Sequence, residues 1–363
     1  MTGDGSSAMA AATESIRRIP ALDIESFIHR AFLKAGMPDG DANIVAQLMA
    51  DADLNGSDGH GVFRLPGYIK RILSGGLNLT PDIKVEKERD AMALVNGDNG
   101  QGHLVMRYCA QKAMEKAKQS GIAWVGAHHS NHAGPASLYA KMPLAEDMIG
   151  LYAAIGNANH LPPWGGTEML LSTNPIAFAV PAMEEPDVVL DMATTVAAYG
   201  KVKAAAQRGE QMPEGWMIDR EGNPLTDPTK SDEGFLLPIG GPKGYGLALM
   251  IGLLAGTLNG AAFGKDVIDF NADFVTPTNT GQFVAAINIA AFAGIDNFKR
   301  SVDSVIRSMK TSPTLPGYNE VHLPGEQSHR KRLDRAENGV PLHDGLLKVL
   351  ADLAEELDVG PLA

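Results

Sequence analysis

The chain is poor in cysteine. A single thiol in 363 residues, Cys109, leaves no internal disulfide framework and fits a reducing, cytoplasmic setting. It sits in the apolar-periodic stretch LVMRYCAQKAMEKA, where an inert core thiol is the expected role. Positive charge is in deficit too: 31 lysines and arginines against 43 acidic residues give a formal net charge of -12 and a pI near 5.3. With no segregated basic run, such a chain repels polyanions, so no nucleic-acid partner is expected. The opening MTGDGSSAMAAA has no basic leader region and too short an apolar run for a secretory signal, and residues 1 to 18 read as a disordered tail. Internal repeats and low-complexity tracts are missing. Long hydrophobic runs are scarce, and only residues 244 to 264 approach a membrane span without charge. Their Gly252, Gly256 and Gly260 have the spacing that lets helices touch, but the glycines, Thr257 and Asn259 lower the hydropathy. A buried helix packed closely on a neighbour is the better account, and no membrane association is expected.

What is present is a 44% apolar chain, long enough to bury one large core or two interlocked ones. Residues 21 to 55 read as two amphipathic helices, with Ile24, Phe27, Ile28 and Phe32 on one face and Val45, Leu48 and Met49 on another, separated at Gly36 and Pro38. From about 90 to 200, strands and helices mix: ALVNG, a helix over 102 to 119, IAWVGA, a helix over 135 to 147, IGLYAAIGN, then strands over 174 to 180 and 187 to 192. After a helical stretch at 244 to 260 come the strand candidate FVAAINIAAF, a helix over 296 to 310 and a terminal helix over 343 to 357. The class is α/β. The organisation expected is a cofactor-binding α/β domain over 86 to 299, and a helical domain from 19 to 85 with 300 to 363.

Neither glycine-rich stretch meets a nucleotide template. GDNGQG at 97 to 102 follows a strand and precedes a helix, but its glycine spacing reverses the G-x-G-x-x-G order that admits a pyrophosphate. GGPKGYG at 240 to 246 fails that test, and fails the P-loop as well for want of lysine directly after the last glycine. HHSNH offers His128, His129 and His132, an i, i+4 metal pair were the segment helical. After a strand it reads instead as a strand-end loop, where an imidazole serves either as a proton carrier or in a structural role; no metal is expected. In DGHGVFRLPGYIKR, His60, Arg64 and Tyr68 recur four apart and would share one helical face, with Pro66 kinking or starting the helix. The ordinary reading is a solvated polar face. The chemical one is a site for a carboxylated substrate, with a guanidinium fork on the carboxylate and an imidazole on a hydroxyl proton.

Six ordered blocks, DGHGVFRLPGYIKRI, SNHAGPASLYA, PPWGGTEMLLSTNPIAFAVP, LDMATTVAAYGKV, GGPKGYGLALMIGLLAGTLNGAAFG and LPGE, together resemble the type II malate/L-lactate dehydrogenase family, over nearly the whole chain after residue 20. That family includes ureidoglycolate dehydrogenases, diketogulonate reductases and cyclic-imine carboxylate reductases. The resemblance implies a mixed, largely antiparallel central sheet that holds a dinucleotide without a Rossmann fold, a helical domain, and a cytoplasmic homodimer. It implies an NAD- or NADP-dependent oxidoreductase that interconverts a small 2-hydroxy acid and its 2-keto acid. The alternatives are a reductase of cyclic imino acids and a non-catalytic dinucleotide-binding protein. By the same resemblance His132 and His60 are the catalytic candidates, with His132 preferred, and Arg64, Tyr68 and Gly59 lie on the substrate side. Asn157, Thr173, Asn174, Asp191, Met192, Ala193, Lys243, Gly325, Glu326 and Gln327 match cofactor-side positions. One departure stands out: the family pattern has serine before the first histidine, and here Gly59 removes that hydroxyl.

Overall fold

A computed structural model of the chain describes residues 16–362. Most of the tail expected at the N-terminus lies outside the described residues, but residues 16 to 18 do not belong to a tail. Ile16–Ile19 is a strand paired antiparallel with Val340–His343, with Ile19 buried at its end. This ladder ties the two ends of the chain together.

Two amphipathic helices follow as the periodicity predicts, Ala21–Lys34 and Asp39–Leu54. Ile24, Phe27, Ile28 and Phe32 of the first lie in one apolar cluster with Val45 and Met49 of the second, Tyr68 and Ile69 of helix Leu65–Leu73, and Leu346, Leu350 and Leu353 of the C-terminal helix Asp344–Leu357. Residues 300 to 310, expected with this helical region, sit in helix Ile295–Lys310, which docks elsewhere. Its Asp303 accepts the backbone N–H groups of Met183, Glu184 and Glu185, just beyond strand Ile176–Val180.

The core of the molecule is a seven-stranded sheet in the order Lys84–Arg89, Met92–Asn96, Ile122–Ser130, Thr280–Asn288, Met148–Ala154, Ile176–Val180, Val188–Met192. Among the described residues its only parallel pair joins Met92–Asn96 to Ile122–Ser130, and helix Gly102–Ser120 makes the crossover that parallel pairing requires. All the other neighbours are antiparallel. Strand Thr280–Asn288 lies in the middle and is buried over most of its length, so its sequence is a continuous apolar run without alternation. It stops at Asn288, short of the expected end at Phe292, because residues 289 to 291 turn helically under the Asn288 side chain.

Helix Gly102–Ser120 covers one sheet face with Val105, Met106, Cys109 and Ala113 against Val95, Val125 and Val284. On the other face Trp124 stacks on Phe283 at 3.8 Å, and Ile155, Ile251 and Ala255 close the layer. The uncharged stretch does not form one long helix: Pro242–Ile251 passes into a wide turn at Gly252–Gly256 and a tight one at Thr257–Asn259. Gly252 sits against the Phe263 ring and Gly256 against Ile155, the close approach expected of them. Gly260 does not share it: at φ +71° it ends the turn, and a Cβ there would meet nothing within 4 Å. No helix among the described residues is long and apolar enough to cross a membrane. Residues 199 to 236 add a small lobe with its own core of Val202, Met212, Met217 and Leu236, which the sequence reading did not anticipate.

Candidate active site

The motif DGHGVFRLPGYIKR is only partly helical. Val62–Arg64 is a short turn and Leu65–Leu73 the helix, with Pro66 in its first turn, where a missing N–H is harmless. Of the three residues expected on one helical face, only Tyr68 is in the helix; Arg64 caps its start and His60 precedes the short turn. Tertiary packing brings it back. Its ring stacks on that of His132, 72 positions along the chain, with centroids 5.6 Å apart and planes 9° from parallel.

HHSNH also divides. Strand Ile122–Ser130 runs through His128 and His129, further than a strand-end loop would allow, and they are engaged by Glu86 and Asn96 at 2.9 and 3.3 Å. His132 alone of the three enters the His60 cluster. The Tyr68 hydroxyl lies 2.5 Å from His132 Nδ1, and the Gly134 N–H approaches the same nitrogen at 3.5 Å. Phe270 flanks the ring at 5.4 Å. Close approach from behind depends on Gly102: a Cβ there would lie 2.1 Å from the Asn131 carbonyl oxygen and 2.5 Å from that of His132.

Burial, then the Arg64 charge, then His60 and His103 hold His132 well below the ordinary imidazole value. Burial and Arg64 push His60 down to about 4. Both rings are neutral at physiological pH. Burial pushes the Tyr68 phenol up, with Arg64 opposing. Arg64 donates from Nε to the Gly59 carbonyl at 2.9 Å and from Nη1 to Asn271 Oδ1 at 3.1 Å. A Cβ on Gly59 would meet nothing within 4 Å, so the space a serine would use is open.

Several members of this cluster escaped the sequence reading. Arg71 is almost wholly buried and donates to Asn131 Oδ1 and to the carbonyls of Asp273 and Thr276. Its signal was present, since 64, 68 and 71 repeat at i, i+4 and i+7. His103 is fully buried, its ring edge-on to Tyr68 at 5.7 Å and its Nδ1 facing Gln101 Nε2 at 3.1 Å. Phe270 and Asn271 lie in an irregular loop that no periodicity marks.

The residues expected on the cofactor side fall on several segments, some of them joined by hydrogen bonds. Asn157 lies beside the histidine cluster: its carbonyl accepts the Phe270 N–H at 3.0 Å and its amide donates to Thr280 Oγ1 at 2.6 Å. The Thr173 carbonyl accepts from Thr194, whose own carbonyl accepts from Ile239, just before the glycines that lead into helix Pro242–Ile251. Met192 pairs with Ile176, Asp191 accepts the Ser137 N–H at 2.9 Å, and Ala193 follows the strand. Gly325, at φ +87°, lies against that same strand, and a Cβ would fall 2.8 Å from the Val189 carbonyl. Lys243 is exposed in the first turn of Pro242–Ile251, a helix whose N-terminus has no side-chain cap, and makes no hydrogen bond or ion pair among the described residues. An ammonium beside uncapped N–H groups is a donor set that suits a diphosphate. Two expected side chains are committed elsewhere. Asn174 is buried, accepting from the Gly156 N–H and donating to the Ala248 carbonyl, and the Glu326 carboxylate binds Lys310, Arg330 and the Leu323 N–H. Gln327 is exposed.

The buried Tyr68 phenol thus meets the His132 imidazole, with the Arg64 charge near enough to act on both, the kind of cluster that an enzyme of proton transfer would use. The family model described as malate/L-lactate dehydrogenase matches residues 19–351. Malate dehydrogenase of Pyrococcus horikoshii is 38% identical over 95% of this chain and 97% of its own length, and L-sulfolactate dehydrogenase of Methanocaldococcus jannaschii is 39% identical over 89% and 92%. The solved structure of the Pyrococcus enzyme covers 95% of this chain and 97% of its own, with a TM-score of 0.87 at 36% identity. The chain belongs to the malate/L-lactate dehydrogenase family.

Proposed function

We propose that His132, backed by Tyr68, carries the proton and Arg64 holds the carboxylate as this nicotinamide-dependent dehydrogenase interconverts a small 2-hydroxy acid, of the malate, lactate, sulfolactate or ureidoglycolate kind, with its 2-keto acid. The observation that carries the reading is the 2.5 Å contact between Tyr68 Oη and His132 Nδ1 beside the Arg64 guanidinium. With Nδ1 engaged, Nε2 is the nitrogen left for substrate. When bound, the nicotinamide ring supplies or accepts the hydride at the α-carbon. In oxidation His132 acts as base from the tautomer that carries its proton on Nδ1 and donates it to Tyr68 Oη, the Gly134 N–H at 3.5 Å being too far to hold Nδ1 as an acceptor. Nε2 takes the hydroxyl proton and the Tyr68 oxygen stabilises the imidazolium. Arg64 grips the carboxylate so that both transfers are aligned, and His60 stacks behind as a binding residue. Lys243 and the turn at Gly325 would hold the dinucleotide, NAD or NADP, without a Rossmann fingerprint. Assaying 2-keto acids, their hydroxy acids and a cyclic imine with NADH and NADPH tests the reading; turnover of the imine alone would overturn it.

The sign of the pH dependence follows from burial. Oxidation needs neutral His132, and a lowered pKa keeps the ring neutral across the physiological range. The oxidation rate should therefore stay flat through neutrality and fall only at a pH well under the ordinary imidazole value. A midpoint near the free imidazole value would show that His132 is not the base.

The assembly proposed is a homodimer formed through the exposed apolar side chains Leu247, Met250, Leu253, Leu254 and Leu258 of a stretch without charge. The double change Leu254→Glu and Leu258→Glu should yield monomers at micromolar concentration by light scattering. A dimer that survives both charges places the interface elsewhere.

A further inference from the structure

The loop from 269 to 276 touches nearly every part of the site and owes its shape to its own side chains. Asp269 Oδ1 accepts the Asn271 N–H at 2.8 Å, and Asp273 Oδ1 accepts those of Val275 and Thr276 at 2.9 and 2.8 Å, turns that stiffen a segment without regular structure. From this frame Phe270 flanks His132 and Tyr68, its N–H bonds the Asn157 carbonyl, and the Asp273 carbonyl holds Arg71. Asn271 turns its Oδ1 to Arg64 Nη1, while its Nδ2 donates to Asp269 at 3.2 Å. That second bond fixes which end of the amide meets the guanidinium.

Arg64 thus has its Nε closed by the Gly59 carbonyl and one Nη1 hydrogen closed by Asn271. Those left open are on Nη2 and the remaining Nη1 position, an end-on fork of the kind that meets both oxygens of a carboxylate. We infer that Asn271 is a positioning and specificity-determining residue: it aims this fork at the substrate and, being neutral, leaves the full guanidinium charge for the substrate carboxylate. The inference rests on the reading of Arg64 as the carboxylate clamp. A carboxylate of the same shape at position 271 would pair with Arg64 internally and compete with the substrate for its charge.

Asn271→Asp should accordingly raise KM for a 2-keto acid by about tenfold and leave kcat within about threefold, since an ion pair competes for roughly one charge-assisted hydrogen bond. The preference for a 2-keto acid over its 2-keto amide, which has no charge to lose, should fall by a similar factor. Asn271→Leu, close in shape but without the acceptor, should raise KM by less. Because Asn271→Asp also sets a carboxylate oxygen against Asp269, the double variant Asp269→Asn with Asn271→Asp removes that repulsion. A KM increase that persists there comes from the pairing with Arg64, and one that vanishes is merely structural and overturns the role of Asn271. NADH binding, followed by fluorescence, checks that each variant is folded, and if the acid variant fails to bind, a KM increase in Asn271→Leu decides alone. Arg64→Ala in the same assay separates two failures. No KM change there overturns the clamp reading itself, whereas a change there with KM unmoved in Asn271→Asp and Asn271→Leu overturns only the role of Asn271.

Discussion

His132→Asn should lower kcat by about 10²–10⁴-fold, the range for losing one general acid–base group, with only a modest change in KM. Asparagine approximates the imidazole in size and leaves an amide to meet the Tyr68 hydroxyl, so the cluster that surrounds the ring stays filled. What it lacks is a nitrogen that can gain and lose a proton. His60→Asn should act differently and chiefly weaken substrate binding, because His60, stacked on the His132 ring, is read as a binding residue and not as the base. Steady-state kinetics with a substrate deuterated at the α-carbon checks both. If His60→Asn removes the acid limb of the pH profile and His132→Asn preserves it, the roles are reversed. If hydride transfer is shown rate-limiting by the isotope effect and neither variant slows it, both assignments fail.

Arg64→Lys should raise KM for the keto acid roughly 10- to 100-fold, since about 1.5–3 kcal/mol attaches to a hydrogen bond on a charged group and 1.4 kcal/mol is a decade in affinity. An ammonium keeps the charge but not the fork. It also cannot satisfy Gly59 O and Asn271 Oδ1 together while facing a carboxylate. Cofactor affinity should hardly move, because the residues proposed to hold the dinucleotide lie against strand Val188–Met192 and in helix Pro242–Ile251. Parallel titrations of NADH and of the keto acid make the comparison. An equal loss in both would mean that Arg64 supports the fold of the site as a whole and is not a substrate clamp.

Local chemistry was enough to determine much of this protein. Apolar spacing gave the α/β class and the helices at Ala21–Lys34 and Gly102–Ser120, and the single buried Cys109 followed from its apolar neighbours. The spacing of Tyr68 put it on a helix, because a helix repeats every 3.6 residues wherever it occurs, while Arg64 stands just before that helix at its N-cap. The ordered motif blocks carried the family. Only the tertiary structure decided which histidine of HHSNH enters the site, that His60 stacks on His132 from outside its helix, and that the 269 to 276 loop joins Arg64, Tyr68, Arg71 and His132. The reason is one of range. Periodicity records which side of its own element a residue faces, whereas contacts between residues 60, 132 and 271 depend on the order of strands and the packing of helices upon them. The neutrality of the two imidazoles belongs to that second level as well. Burial lowers their pKa values, and burial is a property of the assembled fold.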